Sequence, residues 1–381
     1  MTGNWRSAAR HKIFFNANIG EFMKRLIKYI SLPALTGLAI IVGLAAPPPA
    51  QAATPTLYLF NWSQYIPESL ITEFEISCSC AVVETDYDSN SEMAAKLKAG
   101  GDSQYDVVVP SSYYIPQLVH EGLLQKLDKS QIPNAKNLLP QFQNPAYDPN
   151  DQYSMPYQWG TTGVAYITKK FPAAPDSWGM MFNPKDNPSQ PFELMGGSGR
   201  DTIGAACAYL GLGFDCNTEA DWLKAAALIK QTMKRPNFTG FVDGTPARDQ
   251  LKSGAIDVGM VFNGDIATCE SDGSCNNATF VLPKQGTEIW VDTMAIPAHA
   301  PDPQLALEFI NFILDAHSGA ELSNFNDYGS PNAASVPQLQ SILTSTLIVP
   351  TDEQMKHLMF LPPLAGKQLA VYNQIWTAIR Q

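Results

Sequence analysis

Histidine is scarce in this sequence, with five copies in 381 residues and no His-Glu-x-x-His spacing among them. Paired Cys-x-x-Cys motifs are missing as well. These absences argue against a zinc site, which draws its ligands from such clusters. His120, His299, His317 and His357 read as surface or hydrogen-bonded side chains, and no metal is expected. Basic residues are also in short supply: 25 Lys and Arg stand against 36 Asp and Glu, a formal net charge of −11. That balance excludes nucleic acid as a partner, because such surfaces neutralise phosphates with Lys and Arg. No Lys-Ser/Thr follows Gly196-Gly197-Ser198-Gly199, so this run lacks the cation and hydroxyl of a phosphate loop. Gly101-Asp102-Ser103 has the start of an esterase motif but lies between a helix-ending glycine pair and the next strand, where a loop belongs. No internal repeat or long low-complexity tract is found, and no cofactor motif. What the chain does have is apolar mass, 45% hydrophobic and 10% aromatic, which excludes disordered and fibrous classes. Its length fits two domains of ordinary size.

The N-terminal stretch changes the charge arithmetic. From Met23 the chain reads Lys24, Arg25 and Lys28, then an apolar run from Tyr29 to Ala46, then Ala50-Gln51-Ala52 before Ala53. A charged segment, an apolar segment and an A-x-A site are the three parts of a secretory signal. The run approaches the ~18 residues of a membrane span. Pro33, Gly37, Gly43 and Pro47-Pro48-Pro49 nevertheless favour cleavage near Ala52/Ala53 over a retained anchor. Residues 1–22 then read as upstream sequence, with Met23 the true start, and no Cys stands at the cleavage site to carry a lipid. Loss of residues 1–52 removes six basic side chains and one acid, leaving 19 basic and 35 acidic residues and a net charge of −16. The acidity belongs to the exported part.

All six cysteines, Cys78, Cys80, Cys207, Cys216, Cys269 and Cys275, lie beyond the signal. An even count in an exported chain points to disulfides. Proximity pairs Cys207 with Cys216 and Cys269 with Cys275. Cys78-Ser79-Cys80 fits less well, since alternate residues of a strand face one way but rarely meet the required Cα spacing of ~4.4–6.8 Å.

Beyond the signal, strand-like and helix-like segments alternate. Thr56–Asn61 reads as a strand, Pro67 and Glu68 open a helix to about Ile76, and Ala81–Thr85 is the next strand. Ser89-Asn-Ser-Glu92 is a capping box before a helix that Gly100-Gly101 ends. Asp106–Pro110 is a short apolar run of the buried parallel type, followed by a helix over Ile115–Glu121. This order implies a parallel sheet with helices on both faces. A turn-rich stretch from Ile132 to Asp151 precedes a second α/β block. In that block Thr218 caps a helix to Arg235, and Ile256–Phe262 and Glu288–Ile296 are strands. Asp302–Leu314 and Ser318–Phe325 are helices returning to the first domain. Repeated crossing between two α/β domains places a cleft and a hinge between them, with ligand sites at the strand ends.

Aromatic residues and carboxylates gather at those strand ends: Trp62 and Tyr65, Tyr113 and Tyr114, Phe262 and Asp265, Trp290 and Asp292. Trp290 and Asp292, two apart on a strand, face one side and offer a ring and a charge to one ligand. Rings hold aliphatic chains and ammonium groups, with cation–π contacts of ~0.5–2 kcal/mol each, and carboxylates pair with cationic ends.

Several motifs then resemble the spermidine/putrescine-binding proteins of bacterial ABC importers. They are Asn61-Trp-Ser-Gln-Tyr65, Tyr105-Asp-Val-Val-Val-Pro-Ser-Ser-Tyr-Tyr114, Leu127-Asp-Lys-Ser130, Met155-Pro-Tyr-Gln-Trp-Gly-Thr-Thr-Gly163, Trp290-Val-Asp-Thr-Met-Ala-Ile-Pro297 and Tyr328-Gly-Ser-Pro-Asn332. The resemblance runs from about Thr56 to about Ser335. It implies a two-lobed periplasmic binding protein fold of type II, two doubly wound α/β domains with a hinge and an interdomain ligand cleft. Residues 54–160 with 294–337 would form one lobe, and 163–291 with 342–381 the other. It also implies a periplasmic receptor, expected as a monomer and without chemistry of its own, that closes on a polyamine. The receptor would deliver its ligand to a permease served by a cytoplasmic ATPase. Carried over, Trp62, Tyr65, Tyr113, Phe262 and Trp290 form an aromatic box, with Ser63 beside it. Asp265 and Asp292 bind amino groups, and Tyr328 lines the cleft. Asp201 falls where the family usually has a Glu that grips a terminal amine, Phe262 stands where Trp is usual, and the local cysteine pairs are outside the usual pattern. Tyr113 and Trp290 resemble spermidine-preferring members and Asp265 putrescine-preferring ones, leaving both ligands open. A signalling receptor of the same fold and a receptor for another small cationic solute also stay open. The acids and rings argue against a phosphonate, which calls for clustered Arg or Lys, and an iron complex would call for tyrosine or histidine ligands.

Overall fold

The computed structural model describes residues 54–197, 199–242, 245–275 and 277–381. The signal-like segment, its cleavage site and the start at Met23 lie outside the described residues. Among the described residues no helix is long and apolar enough to cross a membrane.

The strands are β1 Thr56–Trp62, β2 Ala81–Tyr87, β3 Val107–Val108, β4 Ser154–Ile167, β5 Phe192–Leu194, β6 Phe238–Phe241, β7 Val258–Phe262, β8 Ala278–Val281, β9 Thr287–Ala295 and β10 Leu358–Met359. The α-helices are α1 Glu68–Cys78, α2 Asn90–Lys98, α3 Ile115–His120, α4 Gly179–Phe182, α5 Arg200–Tyr209, α6 Glu219–Thr232, α7 Thr245–Ser253, α8 Asn263–Ser271, α9 Pro303–Ile313, α10 Ala316–Asn326, α11 Asp352–Met355 and α12 Gly366–Arg380.

Single side chains set several boundaries. Ser89 Oγ accepts the Glu92 N–H at 3.2 Å to cap α2, while Glu92 Oε2 accepts the Asp88 N–H, a capping box displaced by one residue. Thr218 and Asp302 cap α6 and α9, accepting from the N–H groups of Asp221 and Leu305. Helix α1 runs past Ile76 to Cys78 and stops where Ser79 turns left-handed, at φ 54°. That turn brings Cys78 and Cys80 to a Cα separation of 5.2 Å, and they are bridged. The poor fit expected from sequence assumed an extended segment; a left-handed residue at a helix end shortens the span. Cys207–Cys216 and Cys269–Cys275 are also bridged.

The sheet order is β2-β1-β3-β9-β4-β7-β5-β6, with β10 beside β9 and β8 beside β4. At one end β1 pairs parallel with β2 and β3; at the other β5 pairs parallel with β6 and β7. Between them β4 and β9 are antiparallel to each other and to their neighbours β7 and β3, which makes the whole sheet mixed. The sequence reading assigns no strand to β4. All 14 of its residues are buried, so it shows no alternation, and Pro156 breaks the pattern. Pro156 stands at a register shift against β9, a position where a sheet accommodates proline.

Two principal cores flank this junction. One packs Leu57, Leu59 and Phe74 against Phe309 and Ile310; the other packs Val164, Trp178, Phe192 and Trp222 against Trp376. Strand β4 feeds both, Met155 and Tyr157 entering the first and Val164 and Tyr166 the second. The molecule is therefore two α/β lobes sharing two long strands. The loops after β1, β3 and β7 carry their side chains to the crevice between the lobes, as in other open α/β sheets.

Candidate functional site

One cavity of about 260 Å3 opens at the crevice, and all ten candidate ligand residues named from the sequence line it. At its first-lobe side, Trp62 ends β1 and its indole N–H donates to the Val109 carbonyl at 2.8 Å, which fixes the ring. Ser63 donates to Asp88 at 2.8 Å. Asp292, 5% exposed on β9, accepts from the Tyr65 hydroxyl at 2.8 Å and the Ser111 hydroxyl at 2.6 Å. Asn90 holds Ser111 in turn, accepting its backbone N–H at 3.0 Å and donating to its Oγ at 2.9 Å. Burial pushes the Asp292 carboxyl up to about 7, against the opposite pull of its two hydroxyl donors.

Rings form a continuous wall beside this carboxylate. Phe262 and Trp290 have centroids 5.4 Å apart, Trp290 and Tyr328 5.1 Å, and Tyr328 and Tyr65 5.7 Å, each pair close to perpendicular. Edge-to-face pairs of this kind are favourable for aromatic quadrupoles. Two glycines leave the room. A Cβ at Gly160 would strike the Trp290 ring, and one at Gly264 the Tyr328 ring. Tyr113 accepts from Asn90 Nδ2 at 3.2 Å and faces the Arg200 guanidinium, 5.2 Å from its ring centroid.

The second-lobe side holds more acids. Asp201 lies in the first turn of α5 and Asp265 in the first turn of α8. Burial raises Asp265 to about 6, while the Arg248 charge and a backbone hydrogen bond at Phe262 pull it down. Thr162 Oγ1 lies 2.9 Å from Asp201 Oδ1 and 2.8 Å from Glu288 Oε1. Burial first, then the charge of Asp201, push Glu288 well above the usual carboxyl range. Asp265 Oδ2 and Glu288 Oε2 are buried without a hydrogen-bond partner among the described residues. A buried acceptor left unpaired costs about 1–3 kcal/mol. Carboxylate acceptors set among ring faces suit ammonium groups joined by methylene chains.

A sequence-family model described as bacterial extracellular solute-binding protein matches residues 69–349. The chain belongs to that family. A spermidine/putrescine-binding periplasmic protein of Salmonella typhimurium is 34% identical over 298 residues, 78% of this chain and 82% of that protein. A putrescine-binding periplasmic protein of Pseudomonas aeruginosa is 34% identical over 376 residues, 94% of this chain and 99% of its own length. Among solved structures, a spermidine/putrescine ABC transporter substrate-binding protein of Streptococcus pneumoniae superposes with a TM-score of 0.71 at 26% identity, covering 86% of this chain and 100% of that one. The fold of this family member is thus the two-lobed binding-protein fold.

Sequence reasoning missed Glu288, Arg248, Ser111 and Asn90, all of which line the cavity. Glu288 had a usable signal, since residues 288, 290 and 292 share one face of β9. Ser111 lies inside a family-like motif without standing out, and Asn90 and Arg248 are delivered by α2 and α7 with no pattern of their own. Arg248 is the only Lys or Arg among the described lining residues. Away from the cavity, His317 groups with Glu73 and Glu321, their ligand-type atoms within 4.8 Å of one another on the surface.

Proposed function

We propose that the chain is a periplasmic polyamine receptor that takes up spermidine or putrescine and delivers it to an ABC importer with a cytoplasmic ATPase. Asp292 carries the reading: it is a buried carboxylate between rings, held among the described residues by the neutral hydroxyls of Tyr65 and Ser111. An ammonium group supplies the charge that these hydroxyls lack. The names of the Salmonella and Pseudomonas relatives and of the Streptococcus structure support the same ligand class.

In this reading Trp62, Tyr65, Tyr113, Phe262, Trp290 and Tyr328 wrap the methylene chain, with Ser63 holding the loop after β1. Asp201, Asp265 and Asp292 take the amino groups. The lobes comprise residues 54–160 with 294–337 and residues 163–291 with 342–381. They close about the strands that join them, the hinge motion of periplasmic binding proteins. The exported form begins near Ala53, acts as a monomer and performs no chemistry on its ligand.

A thermal-shift screen of the exported chain against putrescine, spermidine, spermine, amino acids and metal ions tests this. The amines are expected to raise the melting temperature. A rise with a non-amine ligand alone would overturn the reading.

A further inference from the structure

Thr162 poses a counting problem. Its hydroxyl has one proton, yet carboxylate oxygens of Asp201 and Glu288 lie 2.9 Å and 2.8 Å from the same Oγ1. One carboxylate can accept that proton; the other has an acceptor facing an acceptor unless it brings a proton of its own. Both carboxyl groups therefore stand on the same hydroxyl, and the charge of Asp201 acts on Glu288. Glu288 is 2% exposed, and its Oε2 receives no hydrogen bond from the described residues. Beside the Asp201 charge, a buried Glu288 ionises only at a cost that a cation can offset.

The groups around the pair do not remove the conflict. Arg200, on α5, is the cation that acts on it, but burial and the charge and hydrogen bond of Asp201 all outweigh its effect on Glu288. The Arg200 guanidinium also donates to the Pro362 carbonyl at 2.6 Å and lies over the rings of Tyr113 and Tyr372. Tyr113, Tyr114 and Tyr372, the last on α12, also lie near this cluster, and none of them supplies positive charge. Both carboxylates line the cavity.

We propose that Glu288 is a ligand-recognising residue that joins Asp201 in holding one ammonium end of the ligand, in exchange for the proton the two carboxyls otherwise share. The ammonium has three N–H donors, enough for both carboxylates and one more acceptor. Its charge takes the place of the shared proton, which leaves to solvent. Glu288 thereby selects for a full cationic terminus at this end of the cavity. The inference rests on the polyamine reading above and adds to it a residue and a proton.

Calorimetric titration of the exported chain with putrescine and spermidine, repeated in two buffers of different ionisation enthalpy at about pH 8.5, counts the protons released. At that pH Asp292 and Asp265 are mostly ionised, and proton uptake by the partly deprotonated amines is common to every protein compared, so the difference in proton count between wild type and variant reports the Asp201–Glu288 pair. Wild-type protein is expected to release protons, and Glu288→Gln to bind roughly ten- to a hundredfold more weakly with that release lost. Asp201→Asn, made alongside, is expected to lose the same release, so the test survives if one variant fails to fold. Wild-type affinity and proton count retained in a folded Glu288→Gln or Asp201→Asn protein would overturn the inference while leaving the polyamine reading intact. A wild-type protein that binds no amine would instead remove the reading itself, and this inference with it.

Discussion

Asp292 and Glu288 lie on the same face of β9, four residues apart, yet the molecule holds their charges differently. Asp292 is braced by two hydroxyls, Tyr65 on one oxygen and Ser111 on the other, and Asn90 fixes Ser111 behind them. It can exchange a proton for a cation without changing a partner. Glu288 shares Thr162 with a second carboxylate and has an unpaired buried oxygen. Its site is unsatisfied until a proton or a cation arrives. The difference shows two ways of preparing a buried acid for an ammonium: one by neutral donors arranged in advance, the other by leaving acceptors in conflict. The first favours tight binding with little rearrangement, and the second ties binding to the release of a shared proton.

The strongest way to break this comparison is to neutralise its braced end. Asp292→Asn is expected to lose roughly 2–5 kcal/mol of polyamine binding free energy, because a buried ammonium would be left without its charged partner. Unchanged affinity by calorimetry would move Asp292 out of the site.

Next in size is the pH response. An ammonium needs ionised carboxylates, and burial holds Asp292 near 7 and Asp265 near 6. Affinity is therefore expected to fall as pH drops through 7 towards 5. In the free protein the sign is opposite. An unfolded aspartate titrates at about 4, whereas the folded Asp292 keeps its proton up to about 7. The folded state thus binds more protons across that window, and the contribution of this group to stability declines as pH rises through it. Melting curves with and without spermidine check both signs. The ligand-induced rise in melting temperature should be larger at pH 8 than at pH 5.5, and an equal rise would contradict the account.

Smaller effects sharpen the role of the rings. Trp62→Ala should cost about 1–2 kcal/mol of binding, from cation–π and packing loss together. No change by calorimetry would make Trp62 a purely structural residue, held by its bond to Val109. Phe262→Trp enlarges the ring facing Trp290 and should gain at most ~1 kcal/mol. A loss would mean that the wall has no room left, since overpacking is itself destabilising.

Much of this was legible before any coordinates. Helix starts were readable because Ser89 and Thr218 are capping residues, and caps act locally. The carboxylates and rings were readable because strand ends converge in an α/β fold, so residues 230 positions apart, such as Trp62 and Asp292, face one cavity. Strand β4 was not readable, since full burial removes alternation and Pro156 looks like a break. The Cys78–Cys80 bridge depends on the left-handed turn at Ser79, which a serine does not announce. Glu288 had the right spacing, but a charged residue at the start of a strand ordinarily faces water. Only the contact with Thr162 and Asp201, 126 and 87 positions away, reveals that it is buried.

The most direct test is a crystal structure of the exported chain with spermidine or putrescine bound. The account predicts the methylene chain against Trp62, Trp290 and Tyr328, with one ammonium nitrogen in hydrogen-bonding distance of Asp292 and another of the Asp201–Glu288 pair. A polyamine bound outside this cavity, or inside it with its nitrogens paired to neither end, would contradict the central claim.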